Sequence, residues 1–157
     1  MDIAIREIKE SDYAAVLALW NGLGNHFVTE ENIGPYYEKE KLDDNRRTFV
    51  AVLDGKAVGF ITVMQFLSVG PPMVHMNING LAVAPELRGK GIGSGLVEHV
   101  ERYAARRGVS FLGLNTGFKR KDAHRFYERH GFRTDSYCYT KKLSDYPTTV
   151  TKKKLET

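Results

Sequence analysis

Only one cysteine, Cys138, occurs in the 157 residues. No disulfide can form within the chain, so a reducing, cytoplasmic setting is expected and a disulfide scaffold is excluded. Long apolar runs are also missing. The longest, residues 57–64, is interrupted by Gly59 and falls far short of the roughly 20 residues a membrane-spanning helix needs. Asp2, Arg6, Glu7, Lys9 and Glu10 break up any apolar start, so neither a secretory leader nor a membrane partner is expected. The histidines and Cys138 form no H-x-x-x-H pattern and no Cys/His cluster, which gives no support for a metal. Internal repeats and low-complexity linkers are absent too. What is present is ordinary for a folded chain: 42% hydrophobic and 27% charged residues, at a length suited to one domain with a sizeable core. The expectation is a single domain over residues 1–143, followed by a polar, basic tail at 144–157.

The formal charge is +4, and its placement says more than its size. Residues 1–85 carry 7 Lys/Arg against 11 Asp/Glu, whereas residues 86–140 carry 11 against 6 and residues 141–157 carry 5 against 2. An acidic half is followed by a basic half that suits an anionic partner. Nucleic acid is not expected, because no helix-turn-helix, zinc or RNA-recognition motif accompanies the charge.

Ile3, Ile5 and Ile8 predict a first strand, and Ser11 or Asp12 a cap for a helix carrying Ala15, Val16, Leu19 and Trp20 at helical spacing. Residues 25–45 are polar and aromatic, with a short helix expected to break at Gly34-Pro35. Residues 48–53 and 57–69, rich in Val, Ile and Phe, flank Asp54-Gly55, a strong hairpin signal. In residues 73–83, strict alternation puts His75, Asn77, Asn79 and Leu81 on one face and Met76 and Ile78 on the other. Beyond Pro85, the stripe Ile92, Leu96, Val97, Val100 and Ala104 predicts an amphipathic helix. Residues 109–114 read as a buried strand, 123–130 as a second helix closed by Gly131, and 134–143 as a last strand. A mixed, mostly antiparallel sheet of about six to seven strands with helices on both faces follows, an α/β (α+β) arrangement.

Arg88-Gly89-Lys90-Gly91-Ile92-Gly93-Ser94-Gly95 lies between a strand and a helix. A helix start presents unpaired backbone N–H groups and roughly half a positive charge, so it suits a pyrophosphate. Arg88 and Lys90 add countercharge. The P-loop pattern fails, since no Gly-Lys pair is followed by Ser or Thr, and G-x-G-x-x-G fails when started from Gly89 or Gly91. R-x-x-G-x-G does match, as Arg88 to Gly93 after Leu81-Ala82-Val83-Ala84-Pro85, together with Ala123-His124-Arg125-Phe126-Tyr127-Glu128-Arg129-His130-Gly131-Phe132 downstream. The two motifs in this strand and helix context resemble the GNAT family of acetyl-CoA-dependent N-acetyltransferases, over about residues 80–134.

The resemblance implies a GNAT fold and acetyl-CoA as cosubstrate, with no metal. It also implies direct transfer to a primary amine in a ternary complex, with no acyl-enzyme. Leu81, Ala82 and Val83 would line the pantetheine arm, and the Val83 N–H would polarise the thioester carbonyl, as in an oxyanion hole. Arg88, Gly89, Lys90, Gly91, Ile92, Gly93 and Ser94 would wrap the pyrophosphate. Asn115 would hold pantetheine where the sheet opens. Tyr127 matches the tyrosine that protonates the departing thiolate.

The sequence departs from the family pattern in two places. Where many members place an asparagine seven residues before the tyrosine, this chain has Arg120, positioned to reach a CoA phosphate or to be solvated. The strand before the glycine loop carries His75, Asn77 and Asn79 but no glutamate. An alkyl amine with a pKa of about 10.4 needs about 4.6 kcal/mol to present its neutral form at pH 7. His75, His26 or water leading to solvent could remove that proton. The missing carboxylate also keeps open a non-catalytic acyl-CoA-binding module. The acceptor, a small molecule or a protein, is not specified by the sequence. Dimers are common in the family, yet nothing in this sequence fixes the oligomeric state.

Overall fold

The computed structural model describes residues 1–24, 27–67 and 74–144. Five strands pair in the order β1 (Ala4–Glu7), β2 (Arg46–Leu53), β3 (Lys56–Leu67), β4 (Val74–Val83) and β5 (Phe111–Leu114). The first four are antiparallel neighbours, and β5 runs parallel to β4. Helices α1 (Tyr13–Gly22) and α2 (Ile33–Lys41) cover one face. On the other face α3 (Ile92–Arg106) buries Leu96, Val97 and Val100, and α4 (Lys121–Arg129) adds Phe126 to the same core. A parallel neighbour requires a crossover, and α3 supplies it between β4 and β5.

Local chemistry accounts for the elements. Asp54 (φ 49°) and Gly55 (φ 78°) both take positive φ between β2 and β3, as a two-residue hairpin turn requires. Gly34 and Pro35 do not break α2; they lie in its first turn, where a proline's missing N–H costs no helical bond. The Asp12 carboxylate accepts the Lys9 N–H at 2.8 Å and holds both arms of the Arg6 guanidinium at 2.7 and 3.0 Å, tying β1 to the entry of α1.

Two further expectations are corrected. Strict alternation fails in β4, because Thr62 pairs with Gly80 while Val63 pairs with Ile78, leaving Asn79 as an extra bulged residue. Parity flips there. Met76 and Ile78 face α3, and after the bulge it is Leu81 and Val83 that do so, not the His75 face as alternation predicts. Among the described residues the sheet has five strands rather than six to seven, since residues 134–143 form no strand and Tyr137, Tyr139 and Leu143 are exposed. A strand exists only by pairing, and β-forming side chains do not supply the partner edge. Expectations for residues 25, 26, 68–73 and 145–157 lie outside the described residues.

Candidate active site

Pairing between β4 and β5 ends at Ile78 and Leu114. β4 continues to Val83, bonded to β3 on one side only. Among the described residues its outer edge beyond the bulge has no strand beside it, and the two strands part there. The Ala84 N–H donates to the Val58 carbonyl at 2.8 Å. Antiparallel positions alternate between exchanging and not exchanging backbone bonds, so the preceding Val83 turns both its N–H and its C=O toward the open edge. Arg88 Nε donates to that Val83 carbonyl at 3.1 Å, an independent sign of the same orientation. The guanidinium is thereby fixed at the end of the gap.

The glycine turn closes the same end. Gly89 (φ 74°) and Gly91 (φ 82°) adopt the left-handed conformation that other residues resist, and Gly91 is the residue before α3. The first helical bond runs from the Gly95 N–H to the Gly91 carbonyl at 2.9 Å. The amides of Ile92, Gly93 and Ser94 therefore precede the ladder, and no side chain caps this helix. Three unpaired donors, the helix dipole and Arg88 and Lys90 together make this end of α3 electropositive, with N–H groups of the kind that suits an anion.

α4 docks on this turn. The Phe126 ring lies 3.4 Å from where a Gly93 Cβ would stand, and His130 Nε2 is 2.9 Å from Ser94 Oγ. Tyr127 is packed edge-on against Phe126 and Phe132, at ring separations of 5.2 and 5.6 Å. Burial pushes its phenol above the usual tyrosine range, and the nearby Arg120 charge opposes this only in part. Asn115 follows the last residue of β5 and is exposed, as is Arg120 at the start of α4.

Leu81, Ala82 and Val83, the Arg88 to Ser94 turn, Asn115 and Tyr127 thus come from the two parting strands and the two helices that border them. His75 stands apart. It pairs with Phe111 in the zipped part of the sheet, its ring 5.6 Å from Phe66 and 5.1 Å from Phe111, and its buried Nε2 has no hydrogen-bond partner. His26 lies outside the described residues. Among the described residues, no group of three or more His, Cys, Asp or Glu side chains is placed to hold a metal, and no helix is long and apolar enough to cross a membrane.

Sequence reasoning missed three features. Glu40, one of six carboxylates with Glu30, Glu31, Glu38, Asp43 and Asp44 in this polar stretch, is buried, accepting from Thr48 Oγ1 at 2.9 Å while Thr48 and Thr62 share a 2.5 Å hydrogen bond. The spacing Ile33, Tyr37, Glu40 was the available signal, because it puts all three on one helical stripe. Thr116, just past Asn115, has a buried hydroxyl without a partner. Trp20 lies against Gly80 at the bulge and donates to the Tyr37 hydroxyl at 3.2 Å.

Comparison with known proteins agrees with this geometry. The sequence matches the Acetyltransferase (GNAT) family over residues 10–132. It is 38% identical over 107 residues to the aminoalkylphosphonate N-acetyltransferase of Salmonella typhimurium, covering 65% of this chain and 66% of that protein. It is 38% identical over 94 residues to the streptothricin acetyltransferase of Streptomyces lavendulae, covering 59% of this chain and 48% of that one. The chain thus spans slightly less than two thirds, and about half, of these two relatives. A transcriptional regulator from Bacillus halodurans C-125 superposes with a TM-score of 0.83 at 25% identity, covering 90% of this chain and all of that chain. The open β4 edge, the glycine turn at the start of α3 and the match over residues 10–132 place this chain in the GNAT acetyltransferase family.

Proposed function

We propose that the chain transfers an acetyl group from acetyl-CoA to a primary amine by direct attack within a ternary complex. The observation that carries this reading is Val83, whose N–H and carbonyl both face the unpaired edge of β4. A donor fixed there is suited to the thioester carbonyl as negative charge develops on it. A strand edge also offers an extended, amide-bearing arm the same bonds that another strand would take. The fit continues at the α3 start, where Ile92, Gly93 and Ser94 amides with Arg88 and Lys90 suit a pyrophosphate.

Acetyl-CoA supplies an activated thioester, and the chain's residues do the rest. Val83 orients and polarises. Tyr127, protonated at neutral pH as a phenol is and pushed further toward that form by burial, holds the proton for the departing sulfur. Asn115 and Arg120 border the arm and the phosphates. His75 and Val83 sit at opposite ends of β4, His75 in the part paired on both sides, so water open to solvent takes the ammonium proton in this reading.

The names of the Salmonella and Streptomyces relatives support an amine-bearing acceptor and give a starting panel. Free thiol is monitored with acetyl-CoA and a panel of aminoalkylphosphonates, polyamines, amino sugars, antibiotic amines and peptides. Release that depends on the acceptor is expected. CoA binding without such release from any amine would replace this reading with a non-catalytic acyl-CoA-binding module.

A further inference from the structure

Ser94 and His130 are separated by 36 positions and joined by one hydrogen bond, 2.9 Å between Oγ and Nε2. Ser94 is the third residue of α3, and His130 closes α4, its ring 4.7 Å from Phe126. Both side chains are half-buried. A serine hydroxyl has a single proton, and a neutral imidazole has one donor and one acceptor nitrogen. With Nε2 as acceptor, the Ser94 proton is spent on the ring and Ser94 turns only lone pairs toward the start of α3. With the proton on Nε2, Ser94 accepts from the ring and its own O–H is released as a donor. The start of α3 already presents the Ile92, Gly93 and Ser94 amides, and every further donor there favours an anion.

We propose that His130 is a positioning residue for the phosphate-binding turn: with its proton on Nε2 it holds Ser94 Oγ as an acceptor, so that the Ser94 hydroxyl donates to a phosphate oxygen of the bound nucleotide. The inference rests on the cofactor reading above. It assigns His130 a role through Ser94, without contact to the ligand, and it links the Tyr127 helix to phosphate binding.

The test measures CoA affinity calorimetrically for wild type, Ser94→Ala, His130→Phe, His130→Gln and the Ser94→Ala/His130→Phe double variant. Phenylalanine preserves the ring against Phe126 and removes the hydrogen bond; the glutamine amide nitrogen restores a donor near the Nε2 position. Ser94→Ala and His130→Phe should each weaken CoA binding about fivefold to tenfold, the scale of one charge-assisted hydrogen bond. The double variant should be no weaker than either single, and His130→Gln should stay within about twofold of wild type. ¹⁵N NMR of the wild-type protein with CoA should show the His130 proton on Nε2. Wild-type affinity in His130→Phe, an equal loss in His130→Gln, or an unprotonated Nε2 in the complex would overturn the inference while leaving the cofactor reading intact. Failure of the wild-type protein to bind CoA would remove both.

Discussion

A phenol is protonated near pH 7 and burial raises that of Tyr127 further, so in the proposed reaction the side chain can give a proton to the leaving thiolate. Tyr127→Phe keeps the contacts with Phe126 and Phe132 and removes only the hydroxyl. Turnover should fall by about 100-fold or more while CoA affinity stays within about twofold; unchanged turnover at saturating acceptor would remove the acid role. Glu40 gives a different expectation. Its burial disfavours the carboxylate more than the Thr48 and Thr62 hydrogen bonds and the Arg47 and Arg46 charges favour it, so its pKa lies above the usual glutamate value. A raised carboxyl favours folding while protonated. Its contribution is fully present below about pH 4.3, the unfolded value, and is lost as pH rises through the folded one. Glu40→Gln is neutral throughout and should gain stability relative to wild type as pH rises through that window, read by urea unfolding at stepped pH. A constant difference would contradict the assignment. Tyr127 could be proposed from the sequence because its motif neighbours single it out. Glu40 was not, because a count of acidic residues between 30 and 44 does not say which one turns inward.

At the scale of elements, the bulge at Asn79 decides the site. One extra residue puts Gly80 and Ala82 on the α1 face and Leu81 and Val83 on the α3 face, and it lies where β4 loses its parallel partner. Gly80 is the small residue that this requires: a Cβ there would stand 2.4 Å from Trp20 Cη2. Gly80→Ala should cost about 1–3 kcal/mol in denaturant unfolding, and Trp20→Phe in the same chain should recover part of it by withdrawing the indole. An alanine variant as stable as wild type would show that the Trp20 packing does not constrain the bulge. Gly93 differs, since a Cβ there meets Phe126 at 3.4 Å, an ordinary contact. Alternation read along residues 73–83 could find the strand and its buried Met76 and Ile78. It could not find the bulge, because a bulge is a property of pairing with β3.

Over the whole molecule, charge is polarised along the chain, with acidic residues in excess before residue 86 and basic ones after it. The basic part includes Arg88 and Lys90 at the α3 start and Arg120 beside Tyr127. CoA affinity should therefore fall as ionic strength rises, and Lys90→Gln should reduce that salt dependence without changing the fold. An affinity indifferent to salt between 50 mM and 500 mM, about a threefold change in screening length, would mean that the amides alone hold the anion.

The order of elements through α4, the hairpin at Asp54-Gly55, the buried stripe of α3 and the two family motifs were determined by the sequence itself. Each depends on neighbours a few residues apart, where turn conformation and helical spacing act directly. Tertiary structure alone decided that β4 and β5 part after Ile78 and Leu114, that Val83 faces the gap, and that His75 lies between the Phe66 and Phe111 positions of the neighbouring strands. It also decided that residues 134–143 remain outside the sheet and that Ser94 meets His130 across 36 positions. These outcomes depend on which edge pairs with which and on how helices dock, and such long-range choices are set by the assembled core rather than by local spacing.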